Sequence, residues 1–99
     1  MSLDPIDLVR ARLHSIKTIL ERASEKQKNG PIGAGLADNF NAILREVETL
    51  FPQLKQALPA LISTRGAFSS MGLAGASYLD LEVFAEQVLS LLEVVERKP

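Results

Sequence analysis

The chain has 99 residues, 46% hydrophobic and 23% charged, with a net charge of −1. That composition suits one packed domain over residues 1–99 and excludes an intrinsically disordered chain. Eleven basic residues against twelve acidic ones exclude a strongly basic nucleic-acid binder, and no cysteine with one histidine excludes a thiolate site or a multi-histidine metal cage within one chain.

The first predicted helix runs over about 5–28. Ile6, Val9, Leu13, Ile16, Leu20 and Ala23 are spaced 3-4-3-4-3, which places all six on one stripe. Asp4 suits the N-cap, Pro5 the first helical position, and Asp7 the positive end of the helix dipole. Asn29-Gly30-Pro31 stops the helix, since Gly tolerates a left-handed cap and Pro cannot continue. These acidic residues also stand where a signal peptide needs a basic end and an apolar run.

The second predicted helix covers about 36–63, along Leu36, Phe40, Ile43, Val47, Leu50 and Leu54, and onward to Ala57 and Leu61. Pro52 and Pro59 interrupt it, yet the apolar stripe keeps its phase through both. One proline-kinked helix is therefore expected. The rival is a break at Phe51-Pro52, because a residue before proline avoids the α region, which would give four helices.

Residues 64–76 form a long loop, with Phe68, Met71 and Leu73 available to strap it over the core. Thr64-Arg65-Gly66 with Ser69 and Ser70 could supply an anion nest, the structural-loop reading being the stronger. The longest stretch without charge, Gly66–Leu79, is fourteen residues long and broken by Ser and Gly. A membrane span needs about 20 mostly apolar ones. The third predicted helix, about 77–97, begins at a capping box of Ser77 and Asp80. Its stripe is Leu81, Phe84, Val88, Leu91 and Val95, with further apolar residues at Leu79, Val83, Ala85, Leu89, Leu92 and Val94. A helix with one partner needs an apolar arc of roughly 100°. This one is wider and should touch neighbours on two sides.

No strand alternation is evident, so the expected fold is all-α: an antiparallel bundle of three long helices completed by dimerisation. Six basic against four acidic residues in 1–30, and two against five in 66–99, favour the first and third helices lying side by side, within a chain or between chains. The surplus apolar surface places a subunit interface on Leu81, Phe84, Val88, Leu91, Leu92 and Val95.

Chemistry-bearing residues are few. His14 lies beside the first seam, with Lys17 one turn on. This pair, with a looser echo in Ile32-Gly33-Ala34, resembles the phosphorylation motif of histidine phosphotransfer domains, although Thr18 stands where that family usually has Gly. The resemblance implies His14 as phosphoacceptor and Lys17 as the cation on the phosphoryl oxygens. In length and helix number the chain is also similar to small dimeric all-α chorismate mutases, which implies a cage drawn from Arg10, Arg12, Lys17, Arg45, Glu46 and Gln87. The position seventeen after Arg10 is, however, Gln27 and not a second arginine. The preferred expectation is a soluble, cytoplasmic, non-enzymatic interaction or scaffold protein. It acts through apolar helix faces, partners itself and possibly another protein, and uses no catalytic residue, metal, cofactor, nucleic acid or membrane. Phosphotransfer through His14 is the alternative.

Overall fold

The computed structural model describes residues 4–23, 28–63 and 73–97. It is mostly helical, with α1 over Pro5–Glu21, α2 over Ala34–Leu50 and α3 over Tyr78–Arg97. Between them run β1, Pro31–Gly33, and β2, Leu73–Ser77, paired antiparallel as a two-stranded ribbon. The strap residues Phe68 and Met71 and the anion-nest residues lie outside the described residues.

Asp4 caps α1 as its sequence implies, its carboxylate accepting from the Ile6 N–H at 3.1 Å. Val9, Leu13, Ile16 and Leu20 turn inward and are buried. The helix closes at Glu21 instead of continuing to about residue 28. Leu20 is the last buried residue of its stripe and Ala23 is only half-buried, so the tertiary packing that sustains a helix in a domain fades there.

The second helix is shorter than expected, and the kinked 36–63 helix is corrected to a helix followed by a turn. Phe51 leaves the helical region, with φ −134° and ψ 75°, while its N–H still closes on the Val47 carbonyl at 2.8 Å. The steric demand of Pro52 on the residue before it forces this exit. A single 3-10 turn, Pro52–Leu54, follows. It does not grow into a fourth helix. Leu54 is still buried, but Ala57 and Leu61 are exposed and Ile62 enters the core instead.

Ile62 is held by Asn41, a buried polar side chain of α2. The Asn41 Nδ2 donates to the Ile62 carbonyl at 2.9 Å, and the Ile62 N–H donates to Asn41 Oδ1 at 2.8 Å. The amide thus offers residue 62 the donor and acceptor that a neighbouring strand would. Next along, the Gly75 N–H donates to the Ser63 carbonyl at 2.9 Å, which lays residues 62–63 beside β2.

The ribbon corrects the expectation of no strand. Pro31 pairs with Ser77 and Gly33 with Leu73, with an irregularity between the two. Ile32, Ala74 and Ala76 point into the core. Such short strands of small residues give almost no alternating hydrophobic signal. The ribbon runs directly into α3, whose capping box forms reciprocally: Asp80 N–H to Ser77 Oγ at 3.1 Å and Ser77 N–H to Asp80 Oδ2 at 3.0 Å.

The core lies between the three helices, with α1 packed on both α2 and α3. Phe40 and Phe84 stack with ring centroids 6.4 Å apart. In α3 the wholly buried positions are Leu81, Ala85, Val88 and Leu92. The expected stripe through Phe84, Leu91 and Val95 is rotated onto the flank, where these three are half-buried. Small Ala85 faces inward and bulky Phe84 reaches Phe40 from the side.

Candidate functional site

The outward side of α3 carries the most prominent surface feature of the described residues. Leu79, Val83 and Val94 remain 43%, 54% and 49% exposed. They share a stripe with Gln87 and Ser90, opposite the core positions Leu81, Ala85, Val88 and Leu92. An open groove of about 840 Å³ runs along this stripe, bounded by Leu91 and Ala57 on one side and by Glu82 and Glu86 on the other. Ala57 comes from the turn after Leu54, so the break at Pro52 supplies one rim. Among the described residues, α3 thus carries apolar side chains on its core, flank and outer faces.

The acidic rim is tied to α1. Lys17 Nζ forms an ion pair with Glu86 Oε1 and is itself half-buried. The Glu86 carboxylate accepting its hydrogen bond raises the Lys17 pKa above its ordinary value against the opposing effect of desolvation, and the charges of Glu86, Glu21 and Glu82 add to the rise. The first and third helices, opposite in charge, thus lie side by side within the chain. On the other side of α1, Arg12 Nη1 meets Glu46 Oε2 of α2 at 2.9 Å.

Of the six expected interface residues, Leu81, Val88 and Leu92 are wholly buried in the core of their own chain. Phe84, Leu91 and Val95 are half-buried, and Leu91 borders the groove. The solvent-facing apolar positions are Leu79, Val83 and Val94, which the sequence singles out only as surplus. Helix periodicity shows that α3 is apolar on two sides. Which side is the inner one depends on how Ala85 and Phe84 fit the other helices.

His14 is exposed on α1, and the Thr18 hydroxyl donates to its carbonyl at 3.0 Å. Lys17, the cation proposed for the phosphoryl oxygens, is engaged by Glu86. The residues of the suggested cationic cage are not brought to one pocket. Arg12 is paired with Glu46 on the α2 side of α1, Lys17 with Glu86 on the α3 side, and Gln87 lines the outer groove.

Among the described residues no three His, Asp or Glu side chains gather as a metal site, and no helix is long and apolar enough to cross a membrane. Neither a known protein family, nor a curated protein, nor a solved structure matches the chain.

Proposed function

We propose that this is a non-enzymatic, helical interaction protein that associates with itself through the outer face of α3. The observation carrying this reading is the exposed row Leu79, Val83 and Val94 along an open groove of about 840 Å³. Clustered apolar side chains at the surface of a small domain favour burial against another protein. The polar residues around them, Glu82, Gln87 and Ser90, form the kind of rim that borders an interface core. Sedimentation equilibrium over about 5–200 µM, a range that brackets micromolar affinity, should give a dimer mass for the natural chain. Val83→Glu should give a monomer with an unchanged circular dichroism spectrum. A monomer mass for the natural chain throughout that range would sink the reading.

A second reading, phosphotransfer, draws on the exposure of His14. It requires acid-labile phosphate to appear on the protein after incubation with a phosphodonor kinase or response regulator, and to vanish in His14→Ala.

A further inference from the structure

We propose that Asn29 is a site of spontaneous covalent modification. Its side-chain amide is lost as ammonia through a cyclic imide closed on the Gly30 nitrogen, and the product alters the turn that leads into the ribbon. This chemistry is independent of the self-association proposed above.

The chain holds three asparagines, Asn29, Asn39 and Asn41, and their surroundings differ in the ways that govern this chemistry. Ring closure needs the main-chain nitrogen of the next residue to reach the asparagine Cγ. Inside an α-helix that N–H is committed to the carbonyl four residues back and is held away from the side chain. Asn39 and Asn41 both lie within α2. Asn39 is followed by bulky Phe40, and the Asn41 amide is buried with its nitrogen and oxygen both bound to Ile62. Asn29 is exposed in the turn before β1, and among the described residues no hydrogen bond holds its side-chain amide. The residue after it is Gly30. Glycine has no Cβ to obstruct the approach and the widest choice of backbone angles with which to bring its nitrogen round.

The step balances with water as the only co-reactant. The Gly30 N–H loses its proton, its nitrogen bonds to Asn29 Cγ, and the Cγ–Nδ2 bond breaks to release ammonia. Water then opens the imide at either carbonyl. Opening at the side-chain carbonyl leaves aspartate. Opening at the main-chain carbonyl leaves isoaspartate, in which the chain runs through Cβ and Cγ and is longer by one methylene. The ribbon begins immediately afterwards: the Gly30 carbonyl accepts from the Tyr78 N–H at 3.2 Å, and Pro31 pairs with Ser77. A methylene inserted just ahead of Gly30 pushes that register out of step. Either product also adds a carboxylate to the shallow cleft of about 300 Å³ that Asn29 shares with Asp80, whose own carboxylate already accepts from the Ser77 N–H in the α3 capping box.

The test incubates the full chain at neutral and at mildly alkaline pH and then cuts it with trypsin. Cleavage after Lys28 and Arg45 delivers all three asparagines in one peptide, so fragmentation in the mass spectrometer compares them directly, against an unincubated control. Asn29 should convert from amide to acid, faster at the higher pH because the Gly30 nitrogen must lose its proton, while Asn39 and Asn41 remain amides. The aged chain should accept methyl groups from S-adenosylmethionine in the presence of an isoaspartate methyltransferase, and Asn29→Gln should abolish that uptake because its ring closure is slower. Hydrogen exchange at the Tyr78 amide should quicken in the converted protein, and unchanged exchange would overturn the effect on the ribbon. A folded chain whose Asn29 lags far behind that of the urea-unfolded chain would overturn the site itself, since the fold would then be shielding the turn. Equal conversion at Asn39 would overturn it too.

Discussion

Asn41 shows how one side chain can decide the path of a distant segment. Replacing it with Leu keeps the branched outline of the side chain but strands the N–H and C=O of Ile62, both hydrogen-bonded to this amide in a buried place. Each orphaned group costs about 1–3 kcal/mol. Asn41→Leu should therefore lower the urea midpoint markedly, and a midpoint close to that of the natural chain would contradict the clamp. Nothing in the sequence marks this residue. An asparagine beside an apolar seam reads as surface until Ile62 is known to arrive opposite it. Lys17 gives a second test at this scale. Because its pKa is raised in the folded chain, its stabilising effect is complete below its ordinary value of 10.5 and is lost as pH rises through the higher folded value. The stability difference between the natural chain and Lys17→Met should be level below pH 10.5 and shrink above it. Chemical denaturation at a series of alkaline pH values measures this directly.

At the scale of elements, helix starts were easier to read than helix ends. Asp4 with Pro5, and Ser77 with Asp80, announce α1 and α3 because a cap is a local arrangement of two or three residues. The end of α2 depends on competition between a local exclusion at Phe51 and an apolar stripe that stays in phase as far as Leu54. The exclusion wins, and Leu54 is buried from a 3-10 turn as well as it would be from a helix. The ribbon was illegible for a different reason: three and five residues, mostly small, leave no periodicity to detect. The reversal after α2 is also enforced from outside, since Ile62 must return to Asn41. Pro52→Ala should accordingly leave helix content by far-ultraviolet circular dichroism nearly unchanged. A gain equivalent to another two turns would mean that the proline alone stops the helix.

At the scale of the whole molecule, the two apolar sides of α3 should respond in opposite ways to mutation. Leu92 is wholly buried, and truncating such a leucine costs about 2–5 kcal/mol. Leu92→Ala should lower the melting temperature, and Val83→Glu should change the sedimenting mass while leaving the melting temperature of dilute monomer almost unaltered. If both variants acted on melting alone, the outer face would have no role in association. The wide apolar arc was legible in the sequence, but the division of labour within it needed the packed structure. The pairing of α1 with α3, fastened by Lys17 and Glu86, also governs how the fold can be reached. Its two partners lie far apart along the chain, so a large loop must close before their contact repays its entropy. While the polypeptide is being synthesised, α1 and α2 emerge with their seam of Val9, Leu13 and Phe40 still lacking its third wall. A nascent chain stalled ahead of Leu81 would carry that bare seam, making it a target for holdase chaperones and proteases until α3 is translated.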